Sequence, residues 1–330
     1  MGLEPTPTIP SDRSLPTPPA GSWMGRPAAP PLRSVQFVPG DDEAAVSASL
    51  HQRADAVILD LEEPRTPFTD DMRRAARTVV GDFLRSLGDD EGRPLYFVRV
   101  QDLHSGQILR DLDAVVGAGL TGVAIPKIDG PGDVHAVDTM LRCVETERGV
   151  PVGSTWIYPI LETAQALRSS YEIAMASPRV AYMGGAVSRF GDIVREIGYR
   201  WTAEGLESLY LRSKVLIDAR AAGIRYPVSG MWAGPASDLD GLRRWAEHLR
   251  DLGYHGMLLG PVEHIDVVNE VFSPTEEELK RWQQLVEVAD AAPSDGGRVI
   301  FGDPDEEWHV VHQAHVESAR HSLEWAAALR

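Results

Sequence analysis

From Arg33 onward the chain alternates short, nearly unbroken apolar runs with longer segments whose apolar residues recur at helical spacing. The runs are Ser34–Val38, Ala56–Leu61, Leu95–Val100, Gly122–Pro126, Thr155–Leu161, Val180–Gly184, Ile224–Ser229 and Gly256–Leu259. Their continuity in Val, Ile, Leu, Tyr and Phe suits strands buried on both faces of a parallel sheet, since a strand with one wet face would alternate. Between them the spacing predicts helices over Asp71–Leu87, Asp133–Arg148, Thr163–Ala176, Thr202–Ala222 and Leu239–Leu252. Thr202-Ala203-Glu204-Gly205 and Ser273-Pro274-Thr275-Glu276 read as helix starts, with a hydroxyl cap followed by early acids. Strand-then-helix repeats ending near Leu259 match a (β/α)8 TIM barrel in count, spacing and size. An open doubly wound sheet is the alternative. It would usually announce a glycine-rich phosphate loop after a strand, and no G-x-G-x-x-G or Walker-type loop is present.

The domain reading is therefore a Pro-rich leader over 1–30, a barrel over 31–290 and a C-terminal extension over 291–330. The rhythm breaks after Val288, where Ala291-Ala292-Pro293-Ser294-Asp295-Gly296-Gly297 reads as a linker. A short apolar stretch, Arg298–Phe301, and a helix around His312–Leu329 follow. This extension is too small to hold its own core, so it is expected to pack on the barrel or on a neighbouring subunit. The leader carries many prolines and no apolar h-region, which predicts disorder rather than a signal peptide.

Composition narrows the partners more than the fold. The balance of 43% hydrophobic and 25% charged residues is that of an ordinary globular protein. The net charge of −17 repels nucleic acid and anionic membrane surfaces, although a local basic pocket for a small anion remains compatible with it. No stretch approaches the roughly 18 consecutive apolar residues of a membrane span. A single cysteine, Cys143, excludes an intramolecular disulfide and fits a reducing cytoplasm. Its place in the run Val137–Val144 predicts a half-buried, inert thiol.

In a barrel of this kind the strand C-termini build the active site, and the polar residues gather there. The second run ends in Asp60-Leu61-Glu62-Glu63, the third in Arg99, the fourth is followed by Lys127 and the fifth by Glu162. Gly184-Gly185-Ala186-Val187-Ser188-Arg189-Phe190-Gly191-Asp192 follows the sixth. Acids converging from several strand ends would repel one another, and two resolutions stay open. A bound cation would relieve them, in which case an all-oxygen donor set points to Mg²⁺ or Mn²⁺ rather than zinc. Alternatively the acids pair with Arg99 and Lys127. Arg99, closing a buried apolar strand, suits either a substrate carboxylate or an internal pair with Asp60 or Glu62. A Schiff-base role for Lys127 is conceivable, with nothing else favouring that chemistry.

These stretches resemble the citrate lyase beta subunit family, also called the HpcH/HpaI aldolase and citrate lyase family, which includes malyl-CoA and citramalyl-CoA lyases. The carrying segments are Arg33–Gly40, Ile58–Glu63, Val98–Val100, Ile125–Lys127, Leu161–Ala164, Gly191–Gly198 and Val268–Phe272, in order across nearly the whole chain after the leader. The resemblance implies a TIM barrel, usually a homotrimer or hexamer, with Mg²⁺ held by Glu162 and Asp192. It implies that Arg99 binds the carboxylate of a 2-oxo acid. The Phe37–Gly40 turn, including Pro39, would lie near an acyl-thioester or CoA, with Lys127 and Gly191 completing the substrate surface. Asp60 and Glu62 become candidates for orienting metal-bound water or the thioester. The implied reaction makes or breaks a carbon–carbon bond between an acyl-CoA enolate and a 2-oxo acid.

Four departures qualify that expectation. The loop to Asp192 is longer by the stretch Ser188-Arg189-Phe190, Gln101 stands where an asparagine is usual, and Leu259-Gly260-Pro261 replaces Ile-His-Pro. Most consequentially, Val310–Val316 places His312 where the family's lyases carry a C-terminal acid. An imidazole can still shuttle a proton near neutral pH, and Asp303 and Asp305 lie close by in sequence. The alternatives are a barrel kept as a thioester-binding subunit or scaffold, and a condensing thioester hydrolase of malate-synthase type. Substrate size is expected to be set around Trp232, His264 and the Arg189 loop.

Overall fold

A computed structural model describes residues 29–88, 92–185, 187–291 and 311–329. The expectations for the leader, for most of the linker, for Arg298–Phe301 and for Asp303 and Asp305 lie outside the described residues. The strands are β1 (Ser34–Pro39), β2 (Ala56–Asp60), β3 (Leu95–Arg99), β4 (Gly122–Ile125), β5 (Trp156–Leu161), β6 (Gly184–Gly185), β7 (Val228–Ser229) and β8 (Gly256–Leu259). The helices are α1 (Glu43–Ala48), α2 (Asp70–Ser86), α3 (Ile108–Val115), α4 (Pro131–Arg148), α5 (Ala164–Arg168), α6 (Ser170–Met175), α7 (Asp192–Ile197), α8 (Leu209–Ala221), α9 (Leu239–Leu252), α10 (Ile265–Val271), α11 (Glu276–Asp290) and α12 (Gln313–Ala328).

All strand pairs are parallel, in the order β6-β5-β4-β3-β2-β1-β8-β7. The two end strands meet across the remaining gap: a Cβ placed on Gly184 would stand 2.9 Å from the Val228 carbonyl oxygen. The sheet thus curls into a nearly closed barrel with the helices between strands, as the repeat pattern predicts. The continuous apolar runs divide by parity, because successive residues of a strand point to opposite faces. Ala56, Ile58, Phe97, Ala124, Tyr158 and Ile160 fill the interior. Val57, Leu59, Tyr96, Val98, Val123 and Ile125 pack outward against the helix layer. Phe97, Tyr158 and Tyr182 meet in the interior with ring centroids 5.9 Å apart, and the Tyr182 hydroxyl donates to the Pro30 carbonyl at the barrel floor.

Three local expectations need correction. The sixth and seventh runs are buried as predicted, yet only Gly184–Gly185 and Val228–Ser229 form ladders. Val180 makes a single bridge to Ile157, and Ile224 instead caps the end of α8 by donating to the Ala219 carbonyl. Apolar continuity reports burial, not pairing. Thr202 does not start the helix: its backbone N–H and hydroxyl both donate to Glu207, closing a turn ahead of a short 3₁₀ segment, and α8 begins at Leu209. Thr275 does cap α11, in a reciprocal box with Glu278. Cys143 is exposed rather than half-buried, because Val134, Val137, Leu141 and Val144 define the buried stripe of α4 and position 143 falls outside it.

Part of the family resemblance is structural in origin. Within Val268–Phe272, Val268, Val271 and Phe272 are buried, while Asn269 accepts from Ser34 Oγ at 2.7 Å and donates to the Arg53 carbonyl at 2.8 Å. That stretch ties α10 to β1. Helix α12 packs on α11 through Trp282 and Trp325, whose centroids are 6.3 Å apart, and meets the barrel where Trp325 abuts His255. No helix among the described residues is long and apolar enough to cross a membrane.

Candidate metal and substrate site

The parity that places Ile58 and Phe97 in the interior carries the same face up to Asp60 and Arg99, so these polar residues emerge at the C-terminal mouth. Arg99 lies flat against Asp60, with Nε donating to Oδ1 at 2.8 Å and an Nη to Oδ2 at 2.7 Å. Its other Nη stands 3.1 Å from Glu62 Oε2. The guanidinium also sits 5.1 Å from the Phe37 ring centroid, a cation–π contact that holds the strand β1 aromatic beneath it. Beyond β2 the chain turns sharply. Asp60 Oδ1 accepts the Glu62 N–H at 2.9 Å, and Gln101 Nε2 donates to both the Leu61 and Glu62 carbonyls at 2.8 Å. The departure at Gln101 is thus a working clamp on the acidic turn. Gly40 donates to the Asp60 carbonyl at 2.9 Å, and a Cβ there would approach that oxygen to 2.6 Å, so only glycine allows this close approach. Pro39 pairs in register with Asp60 and is exposed at the rim.

Lys127 leaves β4 with φ +48°, a left-handed conformation rare for a residue with a side chain. This geometry aims its backbone N–H at Glu162 Oε1, 2.8 Å away, while its ammonium reaches Glu62 at 2.8 Å and Glu63 at 3.0 Å. Asp192 is the first residue of α7, and the Ser188 hydroxyl accepts the Gly191 N–H at 2.7 Å to shape the approach. Tyr199 in turn donates to the Ser188 carbonyl at 2.8 Å. Asp192 pairs with Arg195 at 2.5 Å and lies 3.9 Å from the Lys127 ammonium.

The four acids therefore fall into two groups. Asp60 and Glu62 are matched by Arg99 and Lys127, so for them the internal-pair alternative is what the structure shows. Glu162 receives a backbone N–H rather than a cation, and Asp192 pairs with the exposed Arg195 of its own helix. Burial raises the Glu162 carboxyl above its ordinary range; the Lys127 N–H and the Arg99 charge oppose this, and the charge of Asp192 adds to it. Burial likewise pushes Glu62 up to about 7 despite Arg99 and Lys127. Burial disfavours the charge on Lys127, but its bond to Glu62 and the charges of Glu62 and Glu63 outweigh that and hold its pKa above the usual lysine value. A lysine held so firmly protonated is not a Schiff-base nucleophile.

The donor set fits a hard divalent cation. Two mutually repelling carboxylates, one on a buried strand end and one on a helix start, present oxygen donors to the same space. No third His, Cys, Asp or Glu joins them among the described residues. Two carboxylates completed by water and substrate oxygens is the habit of Mg²⁺, whereas zinc and calcium usually take more protein ligands.

Phe37, Pro39, Gly40, Asp60, Glu62, Arg99, Lys127, Glu162, Gly191 and Asp192 thus gather around one mouth. His312 does not join them within the chain: it is exposed ahead of α12, and its backbone N–H donates to His315 Nδ1 at 3.3 Å. Trp232 and His264, expected near the substrate, lie beyond the C-terminal ends of β7 and β8. Both are buried, the indole donating to the Pro235 carbonyl and the imidazole Nε2 lying 2.8 Å from the Ala236 carbonyl oxygen. Of the three, only Arg189 is exposed, its guanidinium resting on Phe190 and Trp201. Sequence reasoning missed Arg195 and Tyr199 as supports of the Asp192 loop; the i,i+3 spacing of Asp192 and Arg195 was the one available signal.

Comparison with known proteins places these features. The model of the HpcH/HpaI aldolase/citrate lyase family matches residues 33–261. The chain is 32% identical over 273 residues to the citrate lyase subunit beta of Escherichia coli K12, covering 81% of this chain and 85% of that protein. It is 30% identical over 301 residues to a (3S)-malyl-CoA thioesterase of Cereibacter sphaeroides, covering 91% and 96% respectively. The fold matches CitE of Mycobacterium tuberculosis, solved with magnesium, acetoacetate and coenzyme A, at a TM-score of 0.66 and 23% identity, over 91% of this chain and 99% of that one. The family model and these relatives span most of the chain, and the chain belongs to the HpcH/HpaI aldolase/citrate lyase family.

Proposed function

We propose that this protein is a Mg²⁺-dependent carbon–carbon lyase or aldolase that joins or cleaves an acyl-CoA and a 2-oxo acid. The observation that carries this reading is the pair Glu162 and Asp192 at the barrel mouth, held only by a backbone N–H and by the exposed Arg195, beside an arginine with donors to spare. In the reading these two carboxylates hold the cation. When bound, the metal acts as a Lewis acid that polarises the 2-oxo group and stabilises the alkoxide charge that develops on it. Arg99 has five N–H donors; two serve Asp60 and one faces Glu62, which leaves N–H groups for one substrate carboxylate oxygen. Asp60 therefore works as a positioning residue that fixes the guanidinium plane. The Phe37–Gly40 turn and Lys127 border the same opening and supply the surface for a thioester. Family membership and the magnesium, acetoacetate and coenzyme A of the M. tuberculosis structure support the ligand classes.

The proton shuttle is assigned to the C-terminal segment, with His312 at the position of the family's acid and the mouth of a neighbouring subunit as its target. A homotrimer or hexamer in the cytoplasm is the setting of this reading. The exposed side chains of Leu206 (75%), just ahead of α8, and of Tyr210 (72%) and Ile217 (64%) on it support a subunit contact, since a lone chain would leave them in water. Thioester hydrolysis is the second reading, favoured by the thioesterase relative that spans nearly the whole chain and by the imidazole at position 312.

A turnover assay with malyl-CoA-type thioesters, recording both 2-oxo acid and free thiol at several Mg²⁺ concentrations, tests both. The lyase reading expects 2-oxo acid and acyl-CoA without free thiol; free thiol in step with turnover selects hydrolysis. Asp192→Ala and Glu162→Gln should each lower Mg²⁺-dependent turnover by about 100-fold or more while the far-ultraviolet circular dichroism stays unchanged. An Asp192→Ala enzyme that keeps full Mg²⁺-dependent activity would sink the site assignment.

A further inference from the structure

The opposite face of the barrel holds a second concavity that the mouth chemistry does not use. Tyr226 lies just ahead of β7 and His255 just ahead of β8, at the N-terminal ends of strands whose far ends point to the Glu162–Asp192 side. Together with the end of α8 and the last turns of α12 they enclose a cavity of about 530 Å³. Its floor is Ile224, Tyr226 and Trp325, all buried, and its rim carries Arg220, Arg225, His321 and Glu324. The volume falls in the range of metabolite and cofactor pockets.

The charges there do not balance. Glu324 is paired with Arg225. Arg220 donates only to the backbone carbonyl of Arg225, and no ion pair to a carboxylate forms for it among the described residues. Two guanidinium groups and an unpaired imidazole, His321, therefore face one carboxylate. Polar atoms are left over deeper in: the Trp325 indole N–H and Nδ1 of His255 are buried and make no well-formed hydrogen bond. Buried polar atoms without partners are costly, and an adjacent guanidinium without a counter-charge compounds the cost. Tyr226, His255 and Trp325 meet edge to face, with centroids 5.2 and 5.7 Å apart, and add an aromatic flank beside the cationic rim.

From this arrangement we infer a second binding site, at the N-terminal face, for an organic oxyanion: a phosphate or carboxylate head held by Arg220 and the buried Trp325 N–H, on a planar or apolar body laid against Tyr226 and Trp325. The electrostatics of the cavity agree. Burial and then the Arg220 charge depress His255 to about 4, with the Gly253 backbone opposing, so the positive field of the rim reaches the floor. The site joins the C-terminal helix to the barrel, so an occupant would bind α12 more tightly to the N-terminal rim. None of this depends on which reaction the mouth performs.

Calorimetric titration of the full-length protein with inorganic phosphate, phenyl phosphate and benzoate tests the inference. The organic probes should bind saturably and at least about tenfold more tightly than inorganic phosphate, because only they use the aromatic wall. A preference for phenyl phosphate over benzoate identifies a phosphate head; the reverse identifies a carboxylate. Arg220→Gln should weaken binding about tenfold or more, Arg220→Lys less, and Arg99→Ala not at all. Should Arg220→Gln fail to fold, Trp325→Phe, which removes the buried N–H and keeps an aromatic ring, should weaken binding in its place. Absence of saturable binding by either organic probe at about 10 mM overturns the site, that concentration corresponding to only about 3 kcal/mol of binding. So does binding that disappears with Arg99→Ala and survives Arg220→Gln, since the probe then sits in the mouth.

Discussion

Arg99 and Lys127 neutralise the acidic turn after β2, and the way they do so leaves Glu162 with a backbone N–H and Asp192 with the exposed Arg195 as partners. The planar fork of Arg99 is spent on Asp60 in a two-point contact that lysine could not copy. The compact ammonium of Lys127 reaches several carboxylates at once, and its unusual φ turns its own N–H onto Glu162. This arrangement rests on Gly40, whose missing side chain lets β1 press against the Asp60 carbonyl. Gly40→Ala should therefore cost about 1–3 kcal/mol in urea unfolding and also lower kcat/KM, because the backbone that must shift carries Asp60. Unchanged kinetics in a destabilised Gly40→Ala protein would show that Asp60 does not govern the mouth. That acids and bases sit at the strand ends was legible from the order of the motifs. Which acid takes which base was not, because each pair spans tens of residues and is set by strand register.

At the scale of elements, buried ionic staples fix helices to strands. Arg179 precedes the sixth apolar run and bonds Glu145 on α4 through both Nη groups at 2.7 and 2.6 Å, with Nε on Asp138 at 2.7 Å. Glu145 also accepts the backbone N–H groups of Gly153 and Thr155 at 2.8 and 2.9 Å. Burial alone would raise its carboxyl; the Arg179 bond and these two N–H groups overcome that and hold it below the ordinary value of 4.5. A depressed carboxyl stabilises the fold fully above the unfolded-state pKa and ceases to do so as pH falls through the folded-state value. Glu145→Gln should lower stability by about 3 kcal/mol at pH 7, with the gap to the parent narrowing below about pH 4.5. A gap that stays constant down to pH 3 would mean that Glu145 is not ionised in the fold. Helix and strand limits were mostly readable from the sequence, as at α9 and β8. They failed at β6 and α8, where a barrel seam and a Thr202–Glu207 turn override local preference.

For the whole molecule, parallel strands give the barrel two chemically different ends. The C-terminal mouth collects Asp60, Glu62, Glu162 and Asp192, whereas the N-terminal face collects Arg220, Arg225 and His255 against His321 of α12. The chain nonetheless carries a net charge of −17, so self-repulsion weakens the compact state. Raising sodium chloride from about 20 to 200 mM should raise Tm, because the Debye length shortens from about 20 to 7 Å; a Tm that falls over this range would show that paired charges outweigh the excess. The sequence alone determined the barrel, the mouth as the place of chemistry, and the motif order that marks the family, because each rests on local periodicity or short contiguous stretches. Only the tertiary structure decided that Asp60 and Glu62 are spent on Arg99 and Lys127 while Glu162 takes a backbone N–H and Asp192 the exposed Arg195, that Trp232 and His264 are buried, and that His312 stands apart from the mouth of its own chain. Those outcomes depend on strand register and on which side chains meet across the barrel, distances that no local pattern encodes.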